Sequence, residues 1–419
     1  MKRCYWPLFF LNYFSMGVMV PVLSLALLDK GLDLTSLALI FGLYSLTVLI
    51  LEIPSGVLAD VIGRKRVFLL SNVFYITSAA GLLFVRGVAP MIPVIVLWGA
   101  GKAFASGSMD ALIIDGYIGQ NGAQSMPVVT SRLALLETAG LSAGAILGGF
   151  LPGLTGDLFP LLGTYDLTII ARTALVLVNT VLCAVFIKES RPHGTHTIKL
   201  KAHIAESARF IKQSRIVLLL SAGLFCAGIF LFTIETYWQP AYTALLPDGS
   251  LYWTLGLLSF GCFFFASAGN IIIKKIFSGR QHMLYVGYLA ARLLLFSMLV
   301  IFSLQQSAAG FAAMFFTLYL LFGASNMAES TILNTEIPSE KRASLLSFVS
   351  FVFQTGGIVA PAAAGLASTQ QGIRTLWLFS GIVFFTVSAA IGAALISFSR
   401  KRSSAAAAQP PATENVFKA

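Results

Sequence analysis

The stretch Gly56–Arg66, GVLADVIGRKR, ends an apolar run of membrane-spanning length with one acid, one glycine and three consecutive cations. A helix that leaves the bilayer core needs its charges where water begins, so this stretch predicts a helix end and a tight cytoplasmic turn. Gly63 permits the turn, and the cation run Arg64–Arg66 holds it on the inner side of the membrane. Asp60 lies just inside the boundary with cations four to six residues away, which predicts an ionic partner for its carboxylate.

The composition excludes a soluble globular protein. Hydrophobic residues make up 57% of the 419 positions and charged residues 11%, whereas soluble domains are about half apolar and about a quarter charged. We therefore predict an all-α integral membrane protein. Runs of about 20 apolar residues predict transmembrane helices. Twelve such runs are present: 6–28, 37–61, 66–86, 91–118, 129–152, 165–187, 214–238, 251–273, 282–303, 307–330, 342–368 and 373–398.

The distribution of cations predicts the orientation of these helices. With both termini in the cytoplasm, most of the 28 lysines and arginines fall in inner segments, as the positive-inside rule requires. Topology therefore accounts for the net charge of +11, and binding to nucleic acid is not needed to explain it. We predict a six-helix bundle over 1–187, a cytoplasmic linker over 188–213, a second bundle over 214–398 and a disordered tail over 399–419.

The two predicted bundles contain weak sequence echoes of each other. SMDALIID around Asp110 in helix 4 is similar to MAESTILN around Glu329 in helix 10, with acid matching acid. Arg132 and Arg342 likewise begin helices 5 and 11. This pattern is typical of a transporter built from two six-helix repeats that are related by pseudo-two-fold symmetry and rock about a central site.

The opening stretch resembles the signature loop between the second and third helices of the major facilitator superfamily of secondary transporters, whose pattern is close to G-x-x-x-D-x-x-G-R-K/R. The matching residues are Gly56, Asp60, Gly63, Arg64 and Lys65. The resemblance implies a gate latch, in which the acid, the loop arginine and an acid at the inner end of helix 4 hold one conformation closed. Asp115 fits the third position. The alternative is that Asp60 and Arg64 form only a topological stop signal.

Helix 5 contains glycines at four-residue spacing in TAGLSAGAILGGFLPG: Gly140, Gly144 and Gly148, with Gly149 beside them. Small residues spaced in this way allow two helix backbones to approach closely, so this face is predicted to pack on a neighbouring helix. The run also resembles the G-x-x-x-G-P-x-x-G-G element of proton-coupled exporters within the superfamily, with Ala145 in place of the proline. The resemblance implies export by antiport, and ordinary helix packing is the alternative.

Ionisable residues inside the predicted spans are candidates for function, because a charge at the bilayer centre costs about 2.5–3.5 kcal/mol on insertion scales. The candidates for proton coupling or substrate binding are Lys102, Asp110, Glu137, Glu235 and Glu329. Asp110 is the first choice as proton carrier if its helix face lines the central cavity, and a static pair with Arg132 is equally compatible with the sequence. Arg172 and Arg292 are expected to form structural pairs.

Glu235 lies in TIETYWQP near the outer end of helix 7, where an acid beside aromatic residues can attract a cationic, lipophilic substrate. The sequence more strongly favours Tyr237 and Trp238 as residues of the membrane interface. No histidine falls in a catalytic motif, and the four cysteines show no metal-binding spacing. We therefore predict that the protein is not an enzyme and uses no cofactor. We expect the proton gradient to supply the energy for transport.

We therefore expect a monomeric secondary transporter in the plasma membrane, of the bacterial inner-membrane type, with both termini cytoplasmic. Its partners would be a small organic molecule, protons and the lipid bilayer. Proton-coupled export by alternating access is the preferred reading of the sequence. Proton-coupled uptake of a nutrient and lipid flipping are the alternatives.

Overall fold

The computed structural model describes residues 5–106, 108–159, 161–187, 189, 214–246, 251–277, 281–336, 342–361, 363 and 368–407, which form α-helices without any β-strand. The helices in chain order are α1 (Tyr5–Gly17), α2 (Leu23–Asp29), α3 (Leu34–Ile62), α4 (Arg64–Phe84), α5 (Val88–Ala105), α6 (Ser108–Asn121), α7 (Met126–Leu158), α8 (Asp166–Phe186), α9 (Arg215–Thr243), α10 (Tyr252–Phe277), α11 (Gln281–Ser303), α12 (Ala308–Glu336), α13 (Arg342–Val359) and α14 (Gln370–Ala407).

Within these ranges, ten helical stretches are long and apolar enough to cross a membrane. The predicted first span, 6–28, is instead divided into α1 and α2 by turns over residues 18–22. Pro21 explains the break, since its ring lacks an N–H and clashes with the carbonyl four residues earlier. The predicted eleventh span is shorter than expected, because α13 ends at Val359, two residues before Pro361.

Two further boundaries differ from the prediction. The predicted fourth span consists of α5 and α6, with α5 ending at Ala105, so Lys102 and Asp110 do not share one continuous helix. The last helix continues to Ala407, inside the tail that was predicted to be disordered. Its final residues are rich in alanine, which has the highest helix propensity. The predicted cytoplasmic linker, 188–213, lies outside the described residues except for Glu189.

The helices form two bundles. In the first, α1 packs on α7 and α5 packs on both α3 and α4; in the second, α10 packs on α12 and α9 packs on α13. The bundles meet where α7 contacts α10 and where α3 contacts α13. In one contact the fifth predicted span of the first bundle packs on the second span of the second bundle. In the other contact the second span of the first bundle packs on the fifth span of the second, as pseudo-two-fold symmetry requires.

Small residues permit the close approach of helices at both of these contacts. A Cβ atom placed on Gly149 of α7 would lie 2.6 Å from the backbone of Gly256 in α10. A Cβ atom placed on Gly42 of α3 would lie 2.6 Å from Cγ of Pro361, just after α13. Since real Cβ contacts are longer, any side chain at these glycines would push the bundles apart.

The bundles are also joined by hydrogen bonds at the end of the molecule farthest from Arg64, which we call the far end. Leu34 lies at this end, because the 29 residues of α3 separate it from Ile62 by roughly 40 Å. The Gln239 amide of α9 donates to the Val20 carbonyl at 2.7 Å and accepts from the Ser24 N–H at 2.8 Å. The Tyr237 hydroxyl donates to the Leu34 carbonyl at 2.9 Å.

Tyr237 and Trp238 therefore do not belong to an aromatic belt at the membrane surface, and that prediction is wrong. Both are buried, with 1% and 4% of their surface exposed. Trp238 packs on Phe315 with ring centroids 5.1 Å apart, while Tyr237 joins the two bundles. The aromatic run in α9 thus belongs to the protein core and to the contact between the bundles.

Candidate functional site

An ion pair links the turn between α3 and α4 to the middle of α6. Gly63 has a φ of 98°, which residues with a side chain rarely adopt, and it ends α3 and begins α4 within one residue. The next residue, Arg64, pairs through Nη1 with Oδ2 of Asp115. The side chains are 29% and 66% exposed, so the pair contributes about 1 kcal/mol or less to stability. Gly56 is exposed, and the Asp60 side chain lies outside the described residues.

A second carboxylate, that of Glu189, binds at the turn between α3 and α4, which we call the corner at Arg64. Glu189 accepts from the backbone N–H of Arg64 at 2.7 Å and from that of Lys65 at 3.1 Å. The first N–H groups of a helix have no intrahelical partner, and an anion there is favoured by the helix dipole. The Lys65 ammonium group donates to the Ala184 and Ile187 carbonyls, each at 2.7 Å, at the end of α8. Glu189 and Lys65 thereby tie the start of α4 to the end of α8.

The glycine face of α7 lies directly against α1. A Cβ atom on Gly140 would lie 2.8 Å from the Phe10 carbonyl oxygen, and Cβ atoms on Gly144 and Gly148 would overlap the carbonyls of Phe14 and Val18. The face therefore allows the two backbones to touch along three successive turns of α7. Gly149, on the adjacent face, contacts the second bundle instead.

Inside the first bundle, α1, α5, α6 and α7 bring a cluster of polar side chains together. Asp110 interacts electrostatically with Lys102 and also interacts with the Tyr13 hydroxyl. Glu137 interacts with both Asp110 and Lys102. Each of these side chains is partly exposed. We call it the carboxyl cluster, and Tyr13 is a member that the sequence did not predict.

The alternative pair between Asp110 and Arg132 is not formed among the described residues. Arg132 is exposed, and its guanidinium lies 5.9 Å from the ring centroid of Trp6.

Glu235 lies between the bundles. Its side chain is exposed, and it interacts with the Tyr319 hydroxyl of α12. Tyr44 of α3, in the other bundle, is within electrostatic range of Glu235 and also of Arg172. This carboxyl group therefore lies among helices of both bundles, and its part in substrate binding or proton coupling stays a prediction.

Glu329 has a different environment from Asp110, although the two sequences around them are similar. Its Oε2 atom accepts from Nη2 of Arg292 at 2.6 Å, and both side chains are at most 2% exposed. Arg292 also donates to the Gly223 carbonyl at 3.2 Å, and the Tyr288 hydroxyl donates to Glu329 at 3.4 Å. The structural pairing expected for Arg292 is therefore present. Arg172 forms no ion pair with any described residue.

A family model described as Major Facilitator Superfamily matches residues 5–335. The chain belongs to the major facilitator superfamily. It is thus a multi-pass membrane transporter and not an enzyme, and its family needs no cofactor. The described residues contain no cluster of side chains that could hold a metal ion.

Two curated relatives come from Bacillus subtilis (strain 168). The MFS-type transporter YxaM is 28% identical over 238 residues, which is 54% of this chain and 55% of YxaM. The chain thus matches about half the length of that relative. The hexuronate transporter is 23% identical over 391 residues, or 88% of this chain and 86% of the relative.

Among solved structures, a bacterial homologue of the human lysosomal transporter Spinster, in an inward-facing and unoccupied conformation, superposes with a TM-score of 0.74. It is 14% identical, and the match covers 94% of this chain and 97% of the homologue. The likeness shows that the two proteins share a fold.

Proposed function

We propose that this transporter couples proton movement to the export of a small organic molecule. The observation that carries the proposal is the carboxyl cluster, in which Asp110, Glu137 and Lys102 are partly exposed and interact electrostatically with one another. Two ionised carboxyl groups and one ammonium group leave a single uncompensated negative charge. One proton neutralises the cluster, so its loading and release can accompany the rocking of the two bundles.

The same proposal assigns roles to the remaining residues. Glu235, exposed between the bundles, contacts the substrate or a second proton. Arg64 and Asp115 act as a latch that is broken and remade in each transport cycle, in the predicted cytoplasm. The bundles 1–187 and 214–398 move as bodies, with 188–213 as their linker. Export as the direction rests on the glycine element of α7, which resembles that of proton-coupled exporters.

A second candidate function is proton-coupled uptake of an organic anion. It is favoured by the match to a hexuronate transporter, which extends over 86% of that protein's length. The two candidates differ in the direction in which protons and substrate move. An exporter exchanges substrate for protons, whereas a symporter carries both in the same direction.

Proteoliposomes that contain the purified protein and an internal pH dye separate these functions. Ethidium serves as an amphipathic cation and D-glucuronate as an organic anion, each tested with and without a pH gradient. Export predicts that protons leave acidified vesicles when ethidium enters, and uptake predicts that protons enter vesicles together with D-glucuronate. Transport that is equal with and without the gradient would remove proton coupling.

Asp110→Asn tests the carboxyl cluster in the same assay. We expect this change to abolish gradient-driven movement while substrate exchange continues, because the cluster can no longer gain or lose its proton. Asp33→Asn is the matched control, since Asp33 lies at the start of α3 and interacts with Ser36 rather than with the cluster. Gradient-driven transport that survives in Asp110→Asn would exclude Asp110 as the coupling residue.

A further inference from the structure

The two bundles each bury one arginine among aromatic rings, and only one of these arginines has a carboxylate partner. Arg292 lies 4.6 Å from the ring centroid of Tyr288 and 4.8 Å from that of Phe384, and it pairs with Glu329. Arg172 lies 4.5 Å from the ring centroid of Trp98 and 5.2 Å from that of Tyr75. Both guanidinium groups are covered by aromatic rings, but Arg292 also donates hydrogen bonds to Ser325, Gly223 and Ser388.

No described residue supplies an anion to Arg172. Its side chain is 4% exposed, and its Nε atom is buried without a hydrogen-bond partner. The groups in electrostatic range are the phenols of Tyr75 and Tyr44. Asp166, on the same helix, is already paired with Lys30 at 2.7 Å. A guanidinium that remains charged in a protein interior requires a counter-charge or acceptors for its N–H groups.

The stacking geometry leaves the edge of this guanidinium available. Rings that lie over the face of an arginine do not consume its N–H donors, which point outward in the plane of the group. A carboxylate can accept two parallel hydrogen bonds from that edge. In the pair of Arg292 and Glu329, one carboxylate oxygen accepts a hydrogen bond from the edge of the guanidinium. Aromatic walls around a cation with free in-plane donors therefore suit an organic carboxylate.

The unpaired arginine also lies next to the space between the bundles. Tyr44 is partly exposed on α3, a helix that contacts both α9 and α13 of the other bundle. The Tyr44 hydroxyl is within electrostatic range of both Arg172 and the exposed Glu235. Trp98, which covers the guanidinium, is partly exposed as well. Tyr44 therefore links the surroundings of Arg172 to those of Glu235.

We infer that Arg172, enclosed by Tyr44, Tyr75 and Trp98, binds the carboxylate group of the transported molecule. This inference rests on the proposed transport function and adds a substrate class to it. The carboxylate supplies the counter-charge that Glu329 supplies to Arg292 in the other bundle. Glu235, which is also within electrostatic range of Tyr44, then contacts a cationic or hydroxyl group of the same molecule or carries a proton.

Binding can be tested in detergent, without a membrane gradient, using matched pairs of probes. Each organic carboxylate is compared with its uncharged amide: D-glucuronate with D-glucuronamide, and benzoate with benzamide. Thermal unfolding of the full-length protein and its tryptophan fluorescence are measured against probe concentration. We expect a carboxylate to raise the unfolding temperature and change the fluorescence, because Trp98 lies on the guanidinium, and its amide to do neither. No response to any carboxylate would overturn the inference.

Variants assign the effect to this arginine. Arg172→Gln should abolish carboxylate binding, and Arg172→Lys, which keeps the charge but loses the two parallel donors, should weaken it by about tenfold. Arg132→Gln is the matched control, since Arg132 also stacks on a tryptophan but is exposed. Trp98→Phe should lose the fluorescence change and keep the thermal shift. An equal response in wild type and in folded Arg172→Lys and Arg172→Gln would refute the site.

These outcomes are independent of proton coupling. Carboxylate binding that depends on Arg172, combined with gradient-independent transport, would leave the site intact and remove the proposed coupling. Proton-coupled transport of ethidium with no response to carboxylates would support the proposed coupling and overturn the carboxylate site at Arg172.

Discussion

Gln239 holds Val20 at the point where the first predicted span is broken. Its amide group donates to the Val20 carbonyl at 2.7 Å, an oxygen that the break after α1 has released from the helix ladder. The same side chain accepts from the Ser24 N–H at 2.8 Å. One residue of the second bundle therefore satisfies two backbone groups of the first, and closes the far end of the molecule.

Replacing Gln239 with glutamate should open the far end. A carboxylate cannot donate to the Val20 carbonyl, and a lost buried hydrogen bond costs about 1–3 kcal/mol, or roughly five- to 150-fold in a conformational equilibrium. A cysteine placed at Thr243, in a background without the native cysteines, should react faster with a water-soluble maleimide in this variant. Gln305→Glu is the control, since its amide donates only to Ile301 near the end of α11. Equal labelling rates in both variants would contradict the role of Gln239.

Gly148→Ala should destabilise the first bundle, because the added methyl group would overlap the Val18 carbonyl of the broken first span. Overpacking of this kind costs about 1–3 kcal/mol. Gly153→Ala, five residues further along the same helix, adds the same methyl group to open space and should leave stability nearly unchanged. Thermal unfolding of both proteins in detergent measures the difference. Similar unfolding temperatures would mean that α1 and α7 are not in close contact.

The Glu189 and Asp115 carboxylates should differ in their importance for the corner at Arg64. Glu189→Gln weakens two hydrogen bonds to the start of α4, whereas Asp115→Asn weakens an exposed ion pair worth about 1 kcal/mol or less. We expect the Glu189 variant to lose more thermal stability. If Asp115 serves the proposed latch, Asp115→Asn should change the transport rate with little change in unfolding temperature. A variant at Asp115 that loses more stability than one at Glu189 would contradict this ranking.

Glu329→Gln should cost stability and leave proton coupling intact. The change leaves Arg292 buried without its counter-charge, and breaking a buried pair typically destabilises a protein by about 3–5 kcal/mol. Replacing Arg292 with Met and Glu329 with Leu together should recover much of that loss, since no charge then remains unpaired. Gradient-driven transport that disappears in a folded Glu329→Gln protein would return this residue to the set of proton carriers.

Asp33 should make the stability of the protein depend on pH, and the direction of this dependence follows from its pKa. Hydrogen bonds from Ser36, at 2.7 Å from its N–H and 2.5 Å from its hydroxyl, lower the pKa of the Asp33 carboxyl below its usual value. A lowered pKa in the folded state means that this stabilisation is present above the unfolded pKa, near 4, and is lost as the pH falls through the folded pKa. Asp33→Asn keeps a helix cap and should remove this part of the acid sensitivity in thermal unfolding. An unchanged acid dependence would exclude Asp33 as its source.

The strongest sequence signals were those set by local chemistry. A glycine before consecutive cations specifies a tight turn after a span, and Gly63 adopts the positive φ that this turn requires. Glycines at four-residue spacing specify a backbone contact, and Gly140, Gly144 and Gly148 make one with α1. In both cases the physical constraint lies within a few residues of the chain, so a sequence pattern can express it.

Features that depend on distant residues were not predictable. Glu189 was a lone acid beside linker cations, and only the packing of α8 against α4 places it at Arg64. The similarity of SMDALIID to MAESTILN matched Asp110 with Glu329, yet Arg292 pairs only with the latter. Pro21 did carry a signal, since a proline within an apolar run can break it. Hydropathy alone did not reveal this break in the first predicted span.

The bonds that Tyr237 and Gln239 donate across the bundles end on carbonyl oxygens, those of Leu34 and Val20. Main-chain atoms are present whatever side chain a position carries. Mutations at Leu34 and Val20 can therefore accumulate without removing these two hydrogen bonds, whereas a single change at either donor removes the bond that it makes. We therefore expect many substitutions to be tolerated at Leu34 and Val20 of the first bundle, and few at Tyr237 and Gln239 of α9 in the second.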